Sequence, residues 1–123
     1  MTQGYFPLLD KPPIGLGEEV AGDVVAAPPG SGFSIGEKIM GITAFLEGWG
    51  GYAEYAYVLE QSAVRVPPVL SDEQAGGFPI AFRTAYAGLV ERTSLAGGEV
   101  LLVLGAAGSA GIGGGATRQG AGS

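Results

Sequence analysis

The 123-residue sequence contains no cysteine and no histidine. Without thiols the chain can form no disulfide and no cysteine nucleophile, and without imidazole it can hold no Ser-His-Asp triad. Structural and catalytic zinc sites rely on cysteine and histidine, so the usual zinc ligand sets are excluded and we predict no metal site. Any catalysis must therefore come from other side chains or from a bound cofactor.

Positive charge is also scarce. Six lysines and arginines stand against twelve acids, which gives a formal net charge of −6. Such a charge repels phosphate backbones and anionic lipid, so we predict neither nucleic acid nor a membrane as a partner. No signal peptide is evident, and the uncharged stretch 100–117 contains six glycines, which disfavours a membrane span. We expect a soluble, cytoplasmic protein.

Glycine, by contrast, is abundant, with 24 residues. Short apolar segments alternate with glycine-containing turns, such as Pro28–Gly32, and this pattern predicts a small barrel-like β domain. Gly22 marks a bulge or a close backbone approach within the first strand. The predicted strands are Glu18–Ala27, Glu37–Gly41, Tyr52–Val58 and Ala63–Val66.

Beyond residue 70 the pattern becomes helical. Ser71 and Gln74 have the spacing of a capping box, and the acids between them favour the positive end of a helix. The pattern is interrupted around Pro79 and resumes from Ile80 to Arg92 with apolar residues on neighbouring faces. A turn rich in glycine follows at residues 95–99.

Val100–Leu104 is an apolar run typical of a strand covered on both faces. Closely spaced glycines follow at once, and a helix is expected after them, weakened by its own glycines. A strand, a glycine turn and a helix N-terminus form the geometry that binds a dinucleotide pyrophosphate. A purely structural tight turn is an equal alternative, and a nucleoside-triphosphatase loop fits less well because no Lys-Ser or Lys-Thr follows. The predicted cofactor-binding residues are Gly105, Ala106, Ala107, Gly108, Ser109, Ala110 and Gly111.

Six segments in order resemble the motifs of the medium-chain dehydrogenase/reductase superfamily. They include counterparts of its Gly-x-Glu-x-x-Gly-x-Val, Gly-x-Tyr-Ala-Glu-Tyr and Thr-Ala-Tyr-x-x-Leu motifs. Ala106 stands where the strict cofactor fingerprint has its first glycine, so the match there is relaxed. The segments are Leu16–Val25, Gly36–Ile39, Gly50–Tyr55, Thr84–Leu89, Gly98–Val103 and Gly105–Gly111.

The resemblance implies a mixed α/β chain that is an incomplete member of this superfamily. Residues 1–70 would form a partial GroES-like β-barrel catalytic domain, and residues 71–96 a helical connector. Residues 97–123 would be the first β-α unit of a Rossmann cofactor-binding domain. The residue whose side chain separates NAD from NADP lies further along such a domain, beyond the glycine motif.

Glu18 occupies the position at which zinc-dependent members carry histidine, so the resemblance points to the zinc-free quinone oxidoreductase, or zeta-crystallin-like, branch. This branch implies hydride transfer from NADPH, or alternatively NADH, to a quinone or an α,β-unsaturated carbonyl, and it allows a homodimer. Thr84 would line the nicotinamide site, unless its hydroxyl bonds its own helix backbone. Tyr5 and Phe6 would face the substrate pocket, unless they only pack. No catalytic acid or base is assigned.

Three alternatives remain open at this point. The chain could be a non-catalytic, crystallin-like or binding member of the same family. It could be an inactive truncated fragment, for which we expect poor cofactor binding and no turnover. It could also be a stand-alone β-barrel module of the co-chaperonin kind, which would leave the glycine turn after Leu104 without a purpose.

Overall fold

A computed structural model describes residues 13–121, with the side chains of residues 117–121 left out. Two compact units divide the chain, the first ending at Pro79 and the second beginning at Ile80.

An antiparallel sheet forms the centre of the first unit. Its strands are β1 (Glu19–Asp23), β2 (Lys38–Ile42) and β3 (Val64–Arg65), in that spatial order. The three strands were predicted from the sequence, although β1 is shorter than expected. The bulge predicted at Gly22 is wrong, because Gly22 pairs with Ile39 in an uninterrupted register and a Cβ placed there would meet no atom within 4 Å.

The core of the first unit is built from small and medium-sized side chains. Val24, Met40, Ala44 and Ala75 are buried, and Thr43 is fully buried directly after β2. The Thr43 hydroxyl donates a hydrogen bond of 2.9 Å to the carbonyl of Gly17, so the one buried polar side chain in the described part of the chain is satisfied. Thr43 therefore connects the loop before β1 to the sheet by a hydrogen bond.

Two glycine segments, residues 15–17 and 50–52, run side by side, and we call this arrangement the glycine crossing. The amide of Gly51 donates to the carbonyl of Gly17 at 2.8 Å, and the amide of Tyr52 donates to the carbonyl of Leu16 at 2.9 Å. A Cβ at Gly50 would overlap the backbone of Leu16. The crossing therefore requires residues without side chains on both segments.

The strand predicted over Tyr52–Val58 is wrong. Residues 51–55 are bent, and only Val58 makes a single β-bridge, to Thr43. The glycine crossing explains the difference, because it engages the backbone of residues 50–52 with an irregular loop rather than with a strand edge. The aromatic side chains of this loop stay largely exposed, and Trp49 packs edge-to-face on Tyr57 with ring centroids 5.2 Å apart.

Ion pairs connect the strands of the first unit to their surroundings. Arg65 on β3 donates to the carboxylate of Glu37 at 3.2 Å. The backbone amide of Ser34, together with Arg65, holds the pKa of Glu37 below its usual value. Lys38 donates to both carboxylate oxygens of Asp72, at 2.6 and 2.8 Å, which raises the pKa of Lys38. Lys38, Asp72 and Arg65 are exposed and Glu37 is half-buried, so each ion pair contributes little to stability.

Helix α1 (Asp72–Gly76) begins with the capping box that the sequence predicts. The hydroxyl of Ser71 accepts a hydrogen bond from the amide of Gln74 at 3.2 Å, and the Gln74 side chain accepts one from the amide of Ser71 at 3.0 Å. The helix packs against β1 and buries Ala75 completely. The capping box thereby satisfies the backbone amides of Ser71 and Gln74 at the helix start.

We expect Ser71→Ala to lower the free energy of unfolding by about 1 kcal/mol, because the amide of Gln74 at the N-terminus of α1 loses the hydroxyl that accepts its hydrogen bond. Urea denaturation followed by circular dichroism measures this. Ser34→Ala is the matched control, because the Ser34 hydroxyl lies on an exposed turn and only its backbone bonds Glu37. Equal midpoints for the two variants would show that the cap contributes nothing.

The second unit is helical. Helix α2 (Pro79–Tyr86) continues into a wider π-helical turn (Ala87–Arg92), which confirms the predicted helix, although the π register was not foreseen. After a turn containing Ser94 at a positive φ of 52°, residues 99–103 form no regular secondary structure, and a turn that begins at Leu104 leads into α3 (Ser109–Ala121). The helix predicted beyond the glycine turn is thus present.

The glycines inside α3 allow a close approach to α2. A Cβ at Gly113 would lie 2.8 Å from the carbonyl oxygen of Ala81 and 3.2 Å from the Cβ of Ala85. Ala81 and Ala85 are buried. The glycines that weaken α3 as an isolated helix therefore let it pack directly on the backbone of its neighbour.

Among the described residues, 13–121, the strand predicted over Val100–Leu104 is not formed, so this prediction is wrong. The segment has no regular secondary structure, and no strand pairs with it in this part of the chain. Val100, Leu102 and Leu104 are 94%, 81% and 84% exposed, so the expected burial on both faces is wrong too. A β-strand is defined by a hydrogen-bonded neighbour, and the described residues supply none. The first β-α unit of a Rossmann domain is accordingly not established by the fold.

Candidate cofactor-binding turn

The glycine turn (Gly105–Gly111) connects the irregular segment before it to the first turn of α3. Gly105 has a positive φ of 68°, a conformation that favours glycine. The amide of Gly108 donates to the carbonyl of Gly105 at 2.9 Å and closes the turn. A Cβ at Gly111 would lie 2.5 Å from the carbonyl oxygen of Gly105 and 2.7 Å from the Cα of Ala106. Glycine is therefore needed at two of these positions for geometric reasons.

The N-terminus of α3 offers hydrogen-bond donors. The first intrahelical bond in this turn runs from the amide of Ile112 to the carbonyl of Gly108 at 2.9 Å. The amides of Ser109, Ala110 and Gly111 precede it and have no carbonyl one turn back within the helix. No acid lies in the first turn of α3, so nothing offsets the positive end of the helix dipole. This geometry suits an anion, and in particular a phosphate.

The structure brings seven of the predicted cofactor-binding residues, 105–111, into one turn, and all of them except Gly111 are exposed. Thr84 is exposed on α2, between Ala81 and Ala85, the two residues against which α3 packs. Tyr5 and Phe6 lie outside the described residues. Sequence reasoning missed Gly113 as a packing residue; the signal available was the run of glycines itself, read there only as a weakness.

Residues 13–121 contain no cluster of three or more acidic side chains placed to hold a metal ion. None of the helices in this range is long and apolar enough to cross a membrane.

Comparison with known proteins identifies the first unit. The profile of the family described as the alcohol dehydrogenase GroES-like domain matches residues 1–68. The human protein named quinone oxidoreductase is 33% identical over 112 residues, which are 90% of this chain and 32% of the relative. Acryloyl-coenzyme A reductase of Metallosphaera sedula is 32% identical over an alignment of 134 positions that covers 89% of this chain and 40% of the relative.

Solved structures agree with this result. A probable oxidoreductase from Mycobacterium abscessus is 37% identical and superposes with a TM-score of 0.85, over 99% of this chain and 38% of that one. The quinone oxidoreductase from Thermus thermophilus, solved alone and with NADPH, is 31% identical with a TM-score of 0.65, over 85% of this chain and 30% of that one.

The chain thus spans between three and four tenths of these proteins. The family match covers more than half of its residues, and relatives and structures agree on the same superfamily. The chain belongs to the medium-chain dehydrogenase/reductase superfamily, with an alcohol dehydrogenase GroES-like domain in residues 1–68.

Proposed function

We propose that the chain is part of a zinc-free oxidoreductase that uses NADPH, or alternatively NADH, to reduce quinones or α,β-unsaturated carbonyls. The observation that carries the proposal is the glycine turn leading into α3, with the donors of Ser109–Gly111 at its end. The residues present fit a coenzyme diphosphate, because the backbone can approach an anion closely at glycine and the helix terminus is free of acids.

In this proposal the coenzyme, when bound, supplies the hydride. The chain's own residues bind and orient it. The amides of Ser109, Ala110 and Gly111 donate to a phosphate, and Gly108 leaves room for it. Thr84 lines the nicotinamide site. These are binding roles, and no side chain of residues 13–121 is given the role of a catalytic acid or base.

The proposal that zinc is not used rests on residue chemistry. The chain has no cysteine or histidine, and Glu18 stands at the position where zinc-dependent members carry histidine. Glu18 has a structural role, since its backbone carbonyl accepts a hydrogen bond of 2.9 Å from the amide of the buried Thr43. Relatives named for quinone and acryloyl-coenzyme A reduction support an acceptor with a conjugated carbonyl.

A non-catalytic binding member of the family is the second candidate. This candidate is favoured by the exposure of Val100, Leu102 and Leu104. Among residues 13–121, no second strand covers these side chains or encloses a coenzyme at the glycine turn. The two candidates differ in one respect. An oxidoreductase consumes NADPH when a quinone is added, whereas a binding protein does not.

The full 123-residue chain is expected to bind NADPH with a dissociation constant on the order of 1 mM, equivalent to about −4 kcal/mol, and to show no turnover. The reason is that, among the described residues, backbone donors are assigned only to the diphosphate, whereas Thr84 alone is assigned to the nicotinamide and no residue to the adenine. Titration followed by NADPH fluorescence measures this. Micromolar affinity would contradict it.

Activity is tested in a chimera in which residues 13–121 replace the matching segment of the human quinone oxidoreductase. We expect this protein to oxidise NADPH with 1,4-naphthoquinone or cyclohexenone as acceptor, without added metal and after treatment with a chelator. A chimera that folds, as judged by circular dichroism, and binds NADPH but transfers no hydride would favour the binding protein. A folded chimera that does not bind NADPH would contradict the proposal.

A further inference from the structure

Three consecutive glycines of α3 meet very different surroundings. A Cβ at Gly113 would lie 2.8 Å from the carbonyl oxygen of Ala81 on α2, whereas a Cβ at Gly114 would lie 3.8 Å from Cδ1 of Leu89. A Cβ at Gly115 would meet no atom within 4 Å. Only at Gly113 does a backbone atom of the other helix occupy the space of a side chain. We call this approach of Gly113 to Ala81 the helix contact.

The helix contact has no soft neighbour that could make room for a methyl group. An added carbon at Gly113 would also lie 3.2 Å from the carbonyl carbon of Ala81 and 3.2 Å from the Cβ of Ala85. Both alanines are buried, and neither has a side chain that can rotate away. A methyl group at Gly113 must therefore move α3 away from α2 or slide it along α2.

Both parts of the candidate coenzyme site lie near the helix contact. The amides of Ser109–Gly111 precede Gly113 by two to four residues, which is about 3 to 6 Å along α3. Thr84 follows Ala81 by three residues, which is about 4.5 Å along α2 and places the two residues next to each other on the helix surface. Each part is therefore within about one helical turn of the same contact.

We propose that Gly113 is a positioning residue, which sets the distance between the phosphate donors of α3 and Thr84 on α2 so that one coenzyme molecule reaches both. This inference rests on the proposed function and deepens it. A ligand that spans two linked sites gains from the second site only when the separation fits, and the gain is lost when simultaneous contact is impossible. Because a helix is rigid over one turn, the contact between the helices decides the separation.

The test is an NMR titration of the isotope-labelled full chain. The side-chain methyl of Thr84 reports on one site and the amides of Ser109–Gly111 on the other. The probes are NADPH and 2′-phospho-ADP-ribose, which has the same phosphates and adenosine but no nicotinamide. In the wild type, NADPH should shift both sets of signals with one dissociation constant, whereas 2′-phospho-ADP-ribose should shift only those of Ser109–Gly111.

Gly113→Ala should separate the two responses. We expect NADPH to shift the signals of Ser109–Gly111 alone, and its dissociation constant to rise to that of 2′-phospho-ADP-ribose, whose own affinity should stay unchanged. A variant that simply loses its structure would instead weaken both probes. Gly115→Ala is the matched control, because the same change in the same helix meets no neighbouring atom. It should behave as the wild type does.

Gly114→Val is a milder second variant, because its added atoms meet the flexible side chain of Leu89 rather than backbone. It should weaken the response of Thr84 to NADPH, and Leu89→Ala in the same chain should restore that response. The dispersion of the amide signals shows whether each variant is folded. If Gly113→Ala is not folded, Gly114→Val and its rescue decide the question.

The outcomes separate this inference from the proposed function. Signals of Ser109–Gly111 that do not respond to NADPH in the wild type would contradict the proposed function, and the inference with it. Signals of Ser109–Gly111 that respond without Thr84 in the wild type would overturn the inference alone. A folded Gly113→Ala chain in which Thr84 still responds as in the wild type, or in which both probes are weakened equally, would also overturn it.

Discussion

Gly50→Ala is expected to lower the free energy of unfolding of the first unit by about 3 kcal/mol, the upper end of the range for overpacked sites. The added methyl group would overlap the backbone of Leu16, and the amide of the neighbouring Gly51 is hydrogen-bonded to Gly17 at 2.8 Å. Because backbone rather than a flexible side chain stands in the way, the two segments of the glycine crossing must separate.

Gly22→Ala is the matched control. Gly22 lies in β1, where an added methyl group would meet no atom within 4 Å, and its φ is not positive. Alanine there should be neutral or stabilise the unit by about 0.5 kcal/mol, through the reduced freedom of the unfolded chain. Denaturant unfolding monitored by the fluorescence of Trp49 separates the two variants. Similar midpoints would show that the glycine crossing is not a constraint.

Gly111→Val is expected to disrupt the glycine turn and, with it, coenzyme binding. Its Cβ would lie 2.5 Å from the carbonyl oxygen of Gly105, so either the turn opens or α3 starts later. Either change moves the amides that we assign to the phosphate. In the quinone oxidoreductase chimera, kcat/KM for NADPH should fall about tenfold or more, equivalent to at least about 1.4 kcal/mol.

Gly115→Ala is the control for this variant, because it lies in the same helix with no atom within 4 Å of the added carbon. It should leave kcat/KM unchanged and stabilise α3 by up to about 1 kcal/mol. Steady-state kinetics with varied NADPH, together with thermal unfolding, measures both effects. If Gly111→Val folds and retains full coenzyme affinity, the turn is only structural.

The sequence predicts elements whose cause is local. Short apolar segments between glycine-containing turns indicate β1 and β2, and the spacing of Ser71 and Gln74 indicates the capping box of α1. These features depend on neighbours within a few residues, so one sequence is sufficient to find them. The glycine turn belongs to the same group, because its shape depends on residues without side chains.

Elements that depend on contacts between residues far apart in the sequence were predicted wrongly. Residues 52–58 have the composition of a strand, but Gly51 and Tyr52 are bonded to a loop more than thirty residues earlier, through the carbonyls of Gly17 and Leu16. Val100–Leu104 likewise has strand composition and no strand beside it among residues 13–121. Composition sets the strand propensity of a segment. Whether the segment forms a strand depends on which other segment the fold places beside it for hydrogen bonding.

The roles of the glycines also depend on the tertiary structure. Gly22 and Gly113 look alike in the sequence, yet Gly22 meets nothing within 4 Å and Gly113 lies against the backbone of Ala81. Resemblance to a known superfamily supplied what local patterns could not, namely a candidate side chain for the nicotinamide site. Thr84 entered the candidate site by this route alone, and its role stays a prediction.

The most direct test is a titration of the isotope-labelled chain with NADPH, in which NMR follows the backbone amides of Ser109, Ala110 and Gly111. If the positive end of α3 binds the diphosphate, these amide signals should shift in a saturable manner with NADPH and with ADP-ribose, and remain unchanged with adenosine, which lacks phosphate. Shifts of equal size with adenosine, or signals at Ser109–Gly111 that do not move at saturating NADPH, would contradict the account.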